Sequence, residues 1–382
     1  METIQVEGGV PVLSWCKNLE AGALEQITNA AKLPFASKHV CIMPDGHQGY
    51  GAPIGGVLAS EGVVVPNFVG VDIGCGMCAA KTDMATIDIE MLKKILGNIR
   101  AAVPVGFKHH SKPQPGMPSL SGNEVIAKTE FESASRQIGT LGGGNHFIEI
   151  QKTDTNIWVM LHSGSRNIGL KVAKHYNEMA KEKNKQWHCS VPLKYDLAFF
   201  PIDTPEGNLY ISEMNYCLEF ALANRKLMMS RIKDIFNEQT GCSFKEEINI
   251  HHNYARMENH FGLNVMVHRK GATSAKKGEL GLIPGSQGTS SYVVSGLGNK
   301  ASMESCSHGA GRRMGRKEAI RTLNLDAEKK MLDDQGILHA IRGKEDLEEA
   351  AGAYKDIDVV MAEQADLVDI VEKLSPIAVI KG

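Results

Sequence analysis

The chain has no uninterrupted apolar run long enough to cross a bilayer, and its first residues, Met1 to Glu7, lack the basic and apolar regions of a secretory signal. A cytoplasmic protein with no membrane partner is therefore expected. Strong charge of either sign is also missing: 42 Lys and Arg against 44 Asp and Glu give a formal net charge of −2. No overall field marks the chain as a nucleic-acid binder, so any polyanion site must be local. No G-x-x-x-x-G-K-[ST] loop is present, which removes a P-loop nucleotide site. The eight cysteines are scattered along 382 residues, a pattern of reduced thiols rather than of a disulfide scaffold. Cys75 and Cys78 form a single C-x-x-C pair, but a structural zinc site would need a second pair, and there is none. Internal repeats and low-complexity linkers are absent too.

What is abundant is glycine, 39 residues clustered at 46–56, 70–76, 142–144, 278–298 and 309–315. Between the clusters, apolar residues at three- and four-residue spacing predict helices over 20–33, 88–100, 123–137, 167–184, 208–238 and 357–373. Short runs rich in Val and Ile predict strands at 39–43, 62–72, 157–162, 247–252, 263–268 and 291–295. Strand and helix do not alternate strictly, which favours an α+β fold over a doubly wound sheet, in one domain spanning residues 1–382. Phe107 to Gly122, with its prolines and glycines, reads as a mobile surface loop.

The glycine clusters carry the reactive groups. Ser305-Cys306-Ser307-His308-Gly309-Ala310-Gly311-Arg312-Arg313 sets one imidazole among small residues with fixed positive charge behind it. A large ligand could approach His308 closely while Arg312 holds an anion, as a nucleophile directed at phosphate requires. The same residues also suit a tight turn capping a helix that begins near Arg312. From Asn264 to Arg321 there are ten Lys or Arg against three acids, either a phosphate-binding face or an unevenly charged solvated surface. Asp72 and Cys75 share a glycine bend, and His146, His162 and His252 each end or flank an apolar run beside glycine or asparagine. Each alone would suit a core or surface residue. Together they supply carboxylate, thiolate and imidazole, a set able to hold two divalent ions if the thiolate bridges them. Met43-Pro44-Asp45-Gly46-His47 likewise delivers polar groups into a glycine turn, or is an ordinary β-turn.

These segments, taken in order, resemble the RtcB family of RNA ligases. The matching points are the Asp45 turn, the Asp72/Cys75 bend, Gly144 to Glu149, Leu161 to Arg166, His251 to Tyr254, Arg269 to Ala272, Pro284 to Ser286, Ser307 to Arg312, Ala353 to Asp356 and Lys381-Gly382. The resemblance implies mixed sheets surrounded by helices around a central metal and nucleotide cleft. It implies joining of RNA ending in a 3′-phosphate or 2′,3′-cyclic phosphate to RNA with a 5′-hydroxyl, using GTP and two manganese ions, in transfer-RNA splicing or RNA repair. It also leaves room for an activating protein partner. By the resemblance His308 becomes guanylylated, with Arg312 and Asp45 completing the catalytic set, and Asp72, Cys75, His146, His162 and His252 hold manganese. Asn145, Glu149, Asn253, Pro284, Gly285, Ser286, Gln287, Ser291, Gly309, Ala310, Gly311 and Lys381 line the guanylate, with Tyr354 near its base. Gly46 and Cys78 depart from many relatives, which carry a bulkier apolar residue and no thiol there. Two readings of other classes compete: a binuclear hydrolase of phosphate esters, in which His308 has no covalent role, and a non-catalytic RNA-binding protein. The latter is opposed by a competent residue at every catalytic position.

Overall fold

A computed structural model describes residues 1–382, and its frame is two mixed-direction or antiparallel sheets flanked by helices, the expected α+β arrangement. The first sheet runs in the spatial order Glu2–Ile4, Val12–Ser14, Ala36–His47, Ile54–Ser60, Leu263–Lys270, Asn253–His260, with one parallel pair between Val12–Ser14 and Ala36–His47. The second has seven antiparallel strands: Phe244–His251, Gly76–Thr82, Ile157–Ser163, Phe147–Lys152, Val368–Lys381, Ser291–Gly296 and Leu280–Ile283. Its two edge strands approach one another, so the sheet curls around Met77, Trp158, Met160, Leu282 and Val293. His252 is the residue at which the chain leaves Phe244–His251 in the second sheet and enters Asn253–His260 in the first. No helix is long and apolar enough to cross a membrane.

The outer face of the second sheet is closed by Ile89–Ala102 and the long helix Pro205–Thr240, which together bury Leu92, Ile95, Ile99, Met228, Ile232 and Phe236. Local chemistry sets the ends of the long helix. Thr204 accepts from the Gly207 amide, Pro205 occupies the first turn where its missing N–H costs nothing, and Gly241 closes the helix at φ 72°. Its middle is not apolar all round: Glu213, Asn224 and Arg225 are fully buried there. Arg225 donates to the carbonyls of Gly74 and Ser163, both at 2.9 Å, and to Asn249 at 2.7 Å. Asn224 receives the Gly139 amide at 2.7 Å and donates to the Gly164 carbonyl at 3.1 Å. The helix thus fixes by hydrogen bonds the bend before Cys75 and the end of the strand that carries His162.

Five of the six predicted helices are present with small shifts at their ends, at 21–31, 89–102, 126–135, 166–186 and 205–240. The sixth, over 357–373, is helical only at Ile357–Glu363; from Val368 the chain is strand, pairing with Ser291–Gly296 and then with Phe147–Lys152. Ile370, Val371 and Leu374 fit a helical period, but β-branched residues and Pro376 favour extended backbone once two partner strands flank it. The strand expected over 62–72 is reduced to Val63–Val64, because Pro66 opens the helical turn Pro66–Val69. The helix expected near Arg312 begins at Arg316. Phe107 to Gly122 follows an irregular path, and Met117 and Leu120 pack against the cluster containing Ile168, Tyr216 and Phe220.

Arg269, fully buried, ties the first sheet to the segment leading into His308. Its guanidinium pairs with both carboxylate oxygens of Glu258, at 2.5 and 3.1 Å, and donates to the Met303 carbonyl at 2.9 Å and the Ser305 hydroxyl at 2.8 Å. Burial alone would raise the Glu258 carboxyl, but Arg269 brings it down to about 2. That stabilisation is complete above the unfolded value near 4.3 and is lost as pH falls through about 2. Glu258→Gln leaves a buried cation unpaired, and at pH 7 urea unfolding is expected to show a loss of about 3–5 kcal/mol. The gap between variant and wild type should narrow as pH falls below about 4; a constant gap would contradict this pairing.

Candidate metal and nucleotide centre

Three histidines, one thiol and one carboxylate meet where the two sheets adjoin. Cys75 Sγ lies 3.2 Å from His162 Nε2 and 3.5 Å from His146 Nε2; His162 Nε2 is 3.3 Å from His252 Nε2, and His146 Nε2 is 3.1 Å from Asp72 Oδ2. The far side of two of these rings fixes their protons. His146 Nδ1 faces the Leu141 carbonyl at 3.0 Å and His162 Nδ1 faces the Asn145 carbonyl at 3.1 Å. A carbonyl can only accept, so both Nδ1 atoms carry hydrogen and both Nε2 lone pairs point inward. Burial pushes the imidazoles of His162 and His252 well below their usual range, keeping them neutral. A single thiol proton cannot satisfy both inward lone pairs, whereas a bound cation would accept them together. The donors fall into two groups, Cys75 with His162 and His252, and Asp72 with Cys75 and His146, so Cys75 belongs to both. Burial and the neighbouring Asp72 push the Cys75 thiol far up in the absence of metal; bound cations reverse that direction. Burial would also raise Asp72, but in the absence of metal its neighbours His146, Cys75 and Arg166 hold it down to about 2.

Cys78 does not join them. Successive side chains of Gly76–Thr82 alternate faces, and Cys78 is packed with Leu92, Ile95 and Phe236 beneath the helices. The C-x-x-C pair is a coincidence of one bend and one strand.

His308 stands beside this centre, its ring 4.8 Å from that of His252. It follows the short strand Ser305–Ser307, and the Asp45 carboxylate, fully buried, receives two of its donors and one from Gly309. Asp45 Oδ2 lies 2.5 Å from His308 Nδ1, 3.0 Å from the His308 amide and 3.3 Å from the Gly309 amide. Burial would raise this carboxyl, yet the His308 ring bonded to it lowers it, so it is an anion. The proton of His308 therefore sits on Nδ1 and the lone pair on Nε2. Glycine is required at 311, where φ is +73° and a Cβ would meet the Asp45 carbonyl at 2.3 Å. Gly46 is constrained as well: a Cβ there would lie 2.6 Å from the Ile42 side chain, which would have to move to admit one.

A cavity of about 950 Å³ opens over His308. Of the residues expected from the sequence, all but Asp45, His146 and Ser291 line it. Asp45 lies behind His308, and Ser291, fully buried, accepts from Gln151 at 2.9 Å and from the Gly285 amide at 3.3 Å. Burial pushes the Glu149 carboxyl up to about 8, leaving it a proton to donate. Asn253 is committed within the protein: its amide oxygen receives the Gly271 amide at 2.8 Å and its nitrogen donates to the Asp72 carbonyl at 3.0 Å. Arg312 is less free than expected. Its guanidinium lies over the Tyr354 ring at 5.1 Å and donates to the Glu348 carbonyl at 2.6 Å. Of the basic run, Lys270, Arg312, Arg316, Lys317 and Arg321 face the cavity.

Two residues escaped the sequence reading. Glu349, nearly inaccessible, receives the Tyr354 hydroxyl and lies 3.3 Å from Arg312, 3.0 Å from Arg316 and 4.0 Å from Lys381. Lys355 donates to the carbonyls of Pro44 and Gly46, at 3.1 and 2.7 Å, clamping both sides of Asp45, while its own amide donates to Gly311 at 2.9 Å. Nothing in the sequence singled out Glu349, and Lys355 lay within the Ala353 to Asp356 match without a role of its own.

A family model described as "tRNA-splicing ligase RtcB" matches residues 26–121 and 114–382. The chain is 37% identical over 401 residues to "RNA-splicing ligase RtcB" of Escherichia coli K12, covering 97% of each chain. It is 31% identical over 438 residues to "tRNA-splicing ligase RtcB" of Thermococcus kodakarensis, covering 94% of this chain and 91% of the relative. With "RNA-splicing ligase RtcB homolog 1" of Entamoeba dispar the identity is 32% over 448 residues, covering 94% of this chain and 82% of that one. Alignment on this scale, over a chain whose chemistry gathers in one cavity, makes it a member of the RtcB family.

Proposed function

We propose that this RNA ligase joins RNA 3′-phosphate or 2′,3′-cyclic phosphate ends to 5′-hydroxyl ends, with GTP as cosubstrate and GMP carried covalently on His308. The observation that carries the reading is the Asp45–His308 pair: Nδ1 is held at 2.5 Å by a buried carboxylate, so the free lone pair of Nε2 remains for attack. Nε2 attacks the α-phosphorus of GTP; the N–P bond forms as the bond to the bridging oxygen breaks and pyrophosphate leaves. The ring, still protonated on Nδ1, becomes cationic, and Asp45 stabilises that charge without taking the proton. An oxygen of the RNA 3′-phosphate then attacks the guanylate phosphorus, breaking the N–P bond and giving RNA-3′-pp-5′-G. The 5′-hydroxyl oxygen attacks the RNA phosphorus, forming the phosphodiester and releasing GMP. A cyclic phosphate is first hydrolysed.

Asp72, Cys75, His146, His162 and His252 are the candidate ligands for two manganese ions, with Cys75 shared. The fit rests on the inward Nε2 lone pairs, on the double membership of Cys75 and on the buried His252 Nδ1, which has no protein partner. Divalent ions there would neutralise charge developing on phosphate oxygens. Asn145, Glu149, Pro284 to Gln287, Gly309 to Gly311 and Lys381 are the candidate guanylate contacts, with Tyr354 at the base and Arg312 oriented through it. Asn253 and Ser291 act by holding Gly271, Asp72 and Gly285 in place. Because this cavity draws on residues from Glu20 to Lys381, residues 1–382 work as one catalytic unit. Transfer-RNA splicing and RNA repair both present these ends, and a cytoplasmic setting suits either.

With GTP and manganese, purified protein should seal a labelled RNA bearing a 3′-phosphate to a 5′-hydroxyl strand, and His308→Ala should not. Release of phosphate without sealing would instead favour a binuclear hydrolase, and sealing only after addition of another protein would reveal an activating partner.

Metal content is the second test. Wild type should carry about two manganese equivalents by elemental analysis after equilibration, as binuclear sites do. Asp72→Ala or His252→Ala should each remove one ion, whereas Cys75→Ala should remove both. Loss of a single ion from Cys75→Ala would contradict a shared thiolate.

A further inference from the structure

Besides imidazoles, three aromatic rings line the cavity, and two are already covered. Lys381 lies over Phe147 at 5.6 Å, and Arg312 lies over Tyr354 at 5.1 Å while the Tyr354 hydroxyl is bound by Glu349. Tyr50 is the third, and 75% of its surface is open. An exposed tyrosine alone means little. What sets this one apart is the fixity of the backbone beneath it. The Tyr50 carbonyl accepts from the buried Lys270 ammonium at 2.5 Å, and the same ammonium donates to the Asn67 carbonyl at 2.9 Å. On the other side, the Gly49 amide and carbonyl are both bound by the Gln26 side chain, at 3.0 and 2.7 Å, and the Gln48 amide donates to Glu20 at 2.5 Å. Gly51, at φ +67°, turns the chain back where a Cβ would meet Asn67 at 2.4 Å.

The result is a rigid turn presenting a flat, uncovered ring at the cavity wall. Lys270 links that turn to the reactive centre, because the next residue, Gly271, lies against His308, with an ideal Cβ 3.2 Å from its Cε1. Tyr50 is none of the candidate guanylate contacts, although it lines the same cavity. At about 950 Å³ the cavity is at the upper end of small-molecule sites, roomier than one nucleotide requires. Lys317 and Arg321 face the same space, giving charge for a phosphate backbone. We propose that Tyr50 is a stacking platform for the terminal base of an RNA strand, seating the end that is to react at His308. Stacking on an aromatic face tolerates any base, as an enzyme that seals broken ends of varied sequence needs.

The inference rests on the RNA-ligase reading and is separable from it. RNA oligonucleotides carrying 2-aminopurine as the terminal base, one ending in a 3′-phosphate and one in a 5′-hydroxyl, are titrated with full-length protein without GTP. Wild type and Tyr50→Phe should quench the fluorescence of at least one strand, and which strand identifies the end that Tyr50 holds. Tyr50→Ala, whose exposed site leaves the fold intact by circular dichroism, should not quench it and should bind that strand roughly five- to hundredfold more weakly. Quenching by Tyr50→Ala equal to wild type, loss of quenching in Tyr50→Phe, or no quenching of either strand would overturn the proposal. Wild type that quenches but never seals RNA would overturn the ligase reading and leave the stacking site standing.

Discussion

A single buried carboxylate organises the reactive face of this protein. Asp45 is fully inaccessible, yet it is an anion, because the ring and amide of His308 and the amide of Gly309 all donate to one of its oxygens. A buried charge is tolerated only when it is paired and hydrogen-bonded, so the carboxylate and the loop hold each other in one geometry. The chemical consequence is a fixed tautomer. With the proton on Nδ1, the opposite nitrogen presents a lone pair to the cavity and to the neighbouring His252 ring. Lys355 reinforces the arrangement from behind, binding the carbonyls on either side of Asp45 and, through its own amide, the carbonyl of Gly311.

The donor cluster depends on the same logic applied several times. Backbone carbonyls of Leu141 and Asn145 take the Nδ1 protons of His146 and His162, turning both Nε2 atoms toward Cys75. Beside these residues the chain turns at Gly74 and Gly164, where no sheet ladder steadies it. The long helix Pro205–Thr240 supplies the steadying from outside, with Asn224 and Arg225 satisfying the carbonyls of Gly74, Ser163 and Gly164. Buried polar groups in the middle of that helix therefore act on the centre at one remove, and losing either would free the bends rather than remove a donor.

What could be read in the sequence followed from local physics. Amphipathic helices such as Ile89–Ala102 announce themselves by spacing, and reactive residues flanked by glycine, such as Cys75 and His308, stand out because side-chain bulk is removed around them. Where the determinant is distant, the sequence was mute or misleading. Val368–Lys381 is a strand because two partners pair with it, which its helix-compatible spacing did not reveal. Asp45 and His308 are 263 residues apart, so their bond could not be derived from either motif. Glu349 looks like one more acid in Glu345 to Glu349, yet it collects Arg312, Arg316, Tyr354 and Lys381; only packing makes it a hub.

The most direct measurement is covalent labelling of the protein with α-labelled GTP and manganese in the absence of RNA. Mapping by mass spectrometry should place an acid-labile guanylate on His308, with none on His308→Ala, and the rate of labelling should fall at least about hundredfold in Asp45→Asn, where the tautomer is no longer fixed by a carboxylate. Label on another residue, or full-rate labelling of Asp45→Asn, would contradict the account.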